Sequence, residues 1–445
     1  MFDDMGLGRF GDRRLQKGGP FCCGGSSRAV ARACVCGVWA GEIRLTRFLR
    51  NPSVNLEEMV GEAASTLTAR CAGRRVLAIQ DTTVVRCDEK GTGLFLHAVI
   101  AVDADDGAIL GLADACFVTR EAGQDQVAAA ARRKVTPFEN KQSARWLAGA
   151  CAAASAGGAA ASVTVIADRE SDIFEVFQQR PANADLLIRA KHDRTLGDGG
   201  GRMFARIDAR AEDGRSSLDL QARPGQRART ALMAIRFMEI DPVRPGGGGH
   251  STIRPSGVRL TLIDVREVDP PPGAKLLHWR LLTTLPVESA RQAFEVVDLY
   301  RRRWAIEQVF RTLKTDGFDI EGLAIADERP CKTLVLASLI AAVIVQQLVH
   351  ARDGASPKTP QRPLNDAFES SDAPLLQAYT AHLEGKTARQ KNPHPKGSLA
   401  YAAWVCARLG GWTGYYGKPG PIVMLRGWLA FQAAKQGASL MSRLV

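Results

Sequence analysis

Four side chains late in the chain have the types and spacing for phosphate chemistry. They are Tyr300, Arg303, Glu307 and Lys314, within DLYRRRWAIEQVFRTLKTDG (298–317). At roughly 100° per residue, their positions i, i+3, i+7 and i+14 fall in an arc of about 60°, one face of one helix. That face sets a single carboxylate among a phenol, a guanidinium and an ammonium. The carboxylate suits a magnesium ion, and the other three groups suit phosphate oxygens. Leu299, Trp304, Ile306, Val309, Phe310 and Leu313 form the expected buried set of the same helix. A charge-rich helix is ordinarily just a solvated face, but Tyr300 is a poor choice for solvation alone.

Two acids upstream extend the pattern. Asp81 closes the apolar strand VLAIQ (76–80), with the hydroxyls of Thr82 and Thr83 beside it, and Asp168 closes a second strand in VTVIADRE. Taken singly, each reads as an ordinary turn or cap residue. Glu170 and Asp172 rival Asp168, and Asp172 has the position of a cap for a helix beginning at Ile173. Taken together, acids at the ends of neighbouring core strands meet on one rim of a sheet, where Glu307 can join them from a packed helix. Three such carboxylates hold two divalent ions, which clamp the attacking and leaving oxygens of an in-line phosphoryl transfer. Mg2+ suits such a site because it keeps several waters and needs few protein ligands, with Mn2+ as its substitute.

The elements that must position these groups are legible in outline. Residues 1 to about 70 read as mostly helical. A strand-rich stretch follows from Arg75, with LFLHAVIAVD (94–103) and GAILGLADACFV (107–118) as an antiparallel meander. An amphipathic helix at about 139–154 precedes the strand, turn and helix of 162–177 and a further strand at 185–192. Residues 194 to about 275, bracketed by glycine clusters at 199–201 and 246–249, read as a β-rich insertion. WRLLTTL (279–285) returns as a core strand ahead of the 298–317 helix. A long apolar helix near 332–350, a basic loop at 386–397 and further helices complete the chain.

Composition sets the class. The 445 residues allow two or three domains, and 45% apolar with 24% charged residues is ordinary for a soluble globular protein. Lys and Arg number 59 against 47 Asp and Glu, a formal charge of +12, which favours a polyanionic partner, nucleic acid ahead of a membrane surface. The start MFDDMGLGRF is acidic and lacks the apolar core of a signal peptide. The longest apolar run, 334–349, is short for a bilayer and contains Gln346 and Gln347, so it reads as a buried helix. Ten cysteines without a regular framework point to free thiols in a reducing cytoplasm. Cys22, Cys23, Cys34 and Cys36 do not have a recognised zinc-ligand spacing.

These motifs resemble the DDE transposases of bacterial insertion sequences, in the branch marked by Y-x2-R-x3-E-x6-K. Tyr300, Arg303, Glu307 and Lys314 match that signature at every spacing, and IQDTT around Asp81 and DRESDI from Asp168 match the contexts of its first two acids. The resemblance runs from about Arg44 to the C-terminus, through RFLRNPSV (47–54), the PVES stretch and GGW (410–412). It implies an α/β fold: an RNase H-like catalytic core at 71–330 with a β-rich insertion at about 194–275. Flanking it would be an N-terminal helical DNA-binding region (1–70, atypical at 18–41) and a C-terminal helical region (331–445) for dimerisation. The implied activity is cut-and-paste transposition through a DNA hairpin, with Asp81, Asp168 and Glu307 as metal ligands and Tyr300, Arg303 and Lys314 on phosphates. Arg189 and Lys191 match DNA-touching positions, and Trp279 matches the aromatic that stacks on a flipped base. Trp304 is assigned to packing. The implied partners are double-stranded DNA, as terminal repeats and target, and a second copy of the chain, with no membrane, in a bacterial cytoplasm at the nucleoid. Cys/Gly-rich residues 18–41 depart from the family pattern between FGDRRL (10–15) and RLTRFLRNPSV. Two alternatives stand beside this reading: an RNase H-like nuclease that cuts without joining, and a degenerate copy that binds DNA without turnover.

Overall fold

A computed structural model describes residues 39–87, 93–120, 136–199, 201–220, 227–244, 257–274, 276–314, 318–323, 325–357 and 359–441. FGDRRL and the cysteine-rich segment through Val38 lie outside the described residues.

Three helices, α1 (Trp39–Arg50), α2 (Leu56–Ser65) and α3 (Leu67–Cys71), lead into the sheet. The first strands are β1 (Arg75–Cys87), β2 (Gly93–Asp103) and β3 (Ile109–Arg120), joined as the expected antiparallel meander. Helix α4 (Arg145–Ala156) begins six residues later than its amphipathic pattern predicts, because 138–140 and 142–144 close as separate 3-10 turns. β4 (Ser162–Ala167), a short helix α5 (Phe174–Gln178) and β5 (Asp185–Arg189) follow. The β-rich segment supplies α6 (Met203–Asp208), β6 (Gly214–Leu220), β7 (Arg229–Ile240) and β8 (Leu260–Val268), and β9 (His278–Thr283) returns beside β5.

Among the described residues, the nine strands form one mixed sheet in the order β3-β2-β1-β4-β5-β9-β8-β7-β6. The strands of 194–275 therefore widen the same sheet. The period-2 alternation of each strand separates two cores. Leu77, Ile79, Ile166, Leu187, Leu281 and Ile263 face one side. Val76, Ala78, Val165, Leu186, Ile188 and Leu282 face the other, under α4.

The first side is covered by α7 (Ala290–Arg301), α8 (Trp304–Lys314) and α9 (Glu328–Ala351), with α10 (Ala373–Leu383), α11 (Leu399–Leu409) and α12 (Pro421–Met441) stacked beyond. Among the described residues, α9 is the one helix long and apolar enough to cross a membrane, and 83% of its apolar window is buried inside the protein. Its polar residues explain why it belongs there. Gln346 Nε2 donates to Thr312 Oγ1 on α8 at 2.8 Å, and Gln347 Nε2 donates to the Leu110 carbonyl on β3 at 3.1 Å. Each amide is satisfied by a specific neighbour, so the helix is fixed in register between sheet and bundle.

Candidate active site

The site is assembled by strand register. β1 and β4 pair in parallel from Arg75↔Ser162 to Ile79↔Ile166, a constant offset of 87 positions. Two residues further, the same offset brings Asp81 alongside Asp168. Both keep the parity of Ile79 and Ile166, so both lie on the face covered by α7 and α8. β4 ends at Ala167, whereas β1 runs on through Asp81 to Cys87 against β2. Asp81 therefore does not close its strand, as the sequence suggested: it stands where the parallel neighbour departs. Asp168 does leave its strand, and its Oδ1 accepts the Glu170 backbone N–H at 2.8 Å to cap the 3-10 turn 169–171.

The expected single helix over 298–317 is two helices. α7 ends at Arg301 and α8 starts at Trp304, with Arg302 and Arg303 donating backbone N–H groups to Leu299 and Tyr300 in a tighter turn. Arg302 explains where the break falls. Its Nη2 reaches the Asp105 carbonyl at 3.1 Å in the β2–β3 turn, where Gly107 (φ +79°) leaves room for the guanidinium. Of the expected buried set, Ile306, Val309, Phe310 and Leu313 are buried and Leu299 is half-buried. Trp304 is 49% exposed, which corrects its assignment to packing: the break turns the opening of α8 outward.

Despite the break, Arg303 joins the acids. Its Nη1 donates to Asp81 Oδ2 at 2.8 Å, and its Nη2 pairs with Glu307 Oε1. Burial lifts the Asp81 pKa to about 6, against the opposing pull of Arg303, with Asp168 and Glu307 adding to the rise. Burial works against the Arg303 charge too, but Tyr300, Asp81, Glu307 and Asp168 together hold its pKa above the ordinary value. Tyr300, buried at the end of α7, has its phenol pushed up to about 12 by burial, so it stays neutral and able to donate.

The remaining candidates sit on β5, β9 and the end of α8 or just past β5. Ala167↔Ile188 sets Asp168 beside Arg189, whose pKa burial and Arg169 lower; its Nη2 donates to the His278 carbonyl at 3.3 Å. Lys191 lies past the end of β5 with its side chain exposed, and its backbone N–H is held by Asp172 Oδ2 at 2.6 Å. Trp279 sits on β9 opposite Val265, half-buried against the core on the acid-bearing face. Lys314, the last residue of α8, pairs with Glu321 at 2.8 Å. Asp172 is not a cap for α5, whose N-terminus has no side-chain cap. It is buried, and its Oδ2 holds the backbone N–H groups of Lys191 and His192.

The donor set fits a hard divalent ion, being all carboxylate and confined to one rim. Among the described residues, though, no three acids, histidines or cysteines already converge on one point. The Arg303 guanidinium bridges Asp81 and Glu307 and supplies the charge compensation that a cation would.

Residues 141–344 match the family model for the transposase DDE domain. The match, over less than half of the chain, supports a DDE transposase. It spans Asp168, Arg189, Lys191, Trp279, Tyr300, Arg303, Glu307 and Lys314; Asp81 lies before it and enters the DDE domain's rim through the β1–β4 ladder.

Sequence reasoning missed the layer behind the acids. Gln80 and Thr82 flank Asp81 and point to the opposite face, where Thr82 Oγ1 meets His97 Nδ1 at 2.9 Å and Arg145 Nε at 3.3 Å. A signal was present: RWLAGACAAASA opens an otherwise small-residue helix with Arg145 and Trp146, the two large groups that reach this network.

Proposed function

We propose that the protein is a cut-and-paste transposase of a bacterial insertion sequence, acting at the nucleoid as a dimer on DNA. In this reading it nicks the element's ends, forms and opens a DNA hairpin and joins the ends to target, using an RNase H-like core extended by the strands of 194–275. The register-locked pair Asp81–Asp168, tied to Glu307 through Arg303, carries the reading. These three carboxylates would hold Mg2+, or Mn2+ in its place, which when bound lowers the pKa of a nucleophilic water and neutralises the leaving oxygen.

The chain's own groups do the rest. Arg303, once its carboxylates are otherwise neutralised, is placed to turn its planar fork onto a phosphate. Tyr300 donates a neutral hydrogen bond from the buried floor. Lys314 and Arg189 extend the positive rim along the backbone of the bound strand, and Lys191 continues it past β5. Trp279, half-exposed on the same face, would stack on a base turned out during hairpin formation. With α9 buried, α10, α11 and α12 of the 331–445 region would form the dimer contact.

The test is Mg2+-dependent nicking of linear DNA carrying the element's own terminal repeats. Asp81→Ala, Asp168→Ala and Glu307→Ala should each lose cleavage while keeping DNA affinity. Turnover retained in any one removes that residue from the site. If intact ends are not cut but a pre-cut end is still transferred, the core works and end recognition has been lost. Cutting without transfer of the pre-cut end would make the protein a nuclease.

A further inference from the structure

We propose that Arg145 is a positioning residue that sets the spacing of Asp81 and Asp168 from behind the sheet. The inference rests on those acids being metal ligands. Each is held by one backbone N–H: Thr82 N–H donates to Asp81 Oδ1 at 2.8 Å, and Glu170 N–H donates to Asp168 Oδ1 at 2.8 Å. Arg145 binds the side chains of both holders. Its Nε donates to Thr82 Oγ1 at 3.3 Å, and its Nη2 pairs with Glu170 Oε2 at 3.1 Å. One rigid guanidinium thus fixes the distance between the two segments that carry the acids.

Arg145 is itself pinned. Its Nη1 donates to the Gln142 carbonyl at 2.9 Å, its guanidinium carbon lies 5.1 Å from the Trp146 ring centre, and its side chain is only 10% exposed. The hydrogen bonds behind it have one consistent direction. Arginine only donates, so Thr82 Oγ1 accepts from Arg145 and is free to give its own proton to His97 Nδ1. His97 then carries its proton on Nε2 and donates to Gln80 Oε1 at 3.3 Å, while Gln80 Nε2 donates to the Trp146 carbonyl at 3.1 Å. Gln80 and His97 are fully buried, and Gly149 lets α4 lie against them: a Cβ there would fall 2.6 Å from Gln80 Oε1. The chain starts at Arg145 and ends on the residue next to it, closing a ring between α4 and the face of β1 opposite Asp81.

The test uses the full-length protein and Mn2+, followed by loss of the free-ion electron paramagnetic resonance signal, together with single-turnover nicking. Arg145→Met should weaken Mn2+ binding at least tenfold and slow the chemical step by about 100-fold, the scale expected of an ångström-level misplacement, with DNA affinity unchanged. Arg145→Lys should recover only part of this, since an ammonium cannot span both holders with a planar fork. Thr82→Val, which keeps the β-branched shape, should show the Mn2+ defect even if Arg145→Met folds poorly. Wild-type Mn2+ affinity and rate in Arg145→Met or in Thr82→Val would overturn the proposal, as would parallel losses of thermal stability and DNA affinity, the mark of a merely structural role. If the wild type binds Mn2+ no better than Asp81→Ala, the metal-site reading itself falls and takes this proposal with it. Binding that is lost in Asp81→Ala but kept in Arg145→Met sinks the positioning role alone.

Discussion

His97 shows how much a single side chain can carry without touching the chemistry. Burial depresses its pKa from the ordinary 6.5 to about 3, with Arg145 adding to the effect, so it stays neutral in the folded protein. Below pH 6.5 the unfolded chain takes up a proton that the folded chain refuses. The stabilisation is therefore complete above 6.5 and is lost progressively as the pH falls from 6.5 towards 3. The slope approaches about 1.4 kcal/mol per pH unit, one proton's worth. His97→Gln should flatten this part of the stability curve, measured by urea unfolding between pH 7 and pH 4.5; an unchanged slope would show that His97 is not neutral in the fold. None of this was legible beforehand. Thr82 stood out as a hydroxyl next to Asp81, but which face it used depended on strand parity, and its partners His97 and Arg145 come from distant parts of the chain. Glu307 could be singled out by its spacing from Tyr300, Arg303 and Lys314 on a helix, and Asp81 and Asp168, ordinary when taken singly, by their combination with it. The offset of 87 positions that sets the first two side by side is a tertiary fact.

Among the elements, long periodic helices were the most legible and their interruptions the least. The apolar run around 334–349 lies inside α9, and the signature stretch is helical on both sides of residues 302 and 303. What breaks it is Arg302 reaching a turn some 200 positions earlier in the chain, which no local pattern records. Close helix contact likewise depends on single positions. α12 crosses α11 where Gly427 lies against the backbone of Cys406, so that a Cβ would overlap the Cys406 carbonyl oxygen, and Gly410 meets the Val423 carbonyl in the same way. Gly437, ten residues along the same helix, faces open space. Gly427→Ala should therefore cost about 1–3 kcal/mol or more, since a backbone carbonyl cannot rotate away as a side chain can. Gly437→Ala should gain up to about 1 kcal/mol from helix propensity. Urea unfolding of the two variants compares them directly, and equal effects would mean the two helices do not approach as closely as described.

Across the whole molecule, the chain carries a formal charge of +12. Asp81 and Asp168 share one rim of the sheet, Arg303 bridges Asp81 to Glu307 on α8, Arg189 lies beside Asp168, Lys191 follows the end of β5 and Lys314 ends α8. A DNA strand lying over that rim would release counterions from each phosphate that a flanking cation neutralises. The logarithm of affinity should then fall linearly with the logarithm of salt concentration, by about 0.9 per neutralised phosphate. Lys191 offers the clearest case, because its side chain is exposed and only its backbone is engaged by Asp172. Lys191→Ala should reduce the slope by about one unit and weaken binding to any sequence alike, the behaviour of a phosphate contact. Lys314 differs because Glu321 holds it at 2.8 Å, so a phosphate must compete with that carboxylate. Glu321→Gln should accordingly strengthen binding and steepen the slope, while Lys314→Ala weakens it, and the double variant should behave as Lys314→Ala alone. Fluorescence anisotropy of a labelled end duplex across 50–300 mM NaCl, roughly the range over which such contacts dominate, gives all four slopes. If the slope is insensitive to Lys191 and Lys314 together, the DNA path does not follow this flank of the rim, and the positive charge must act elsewhere on the surface.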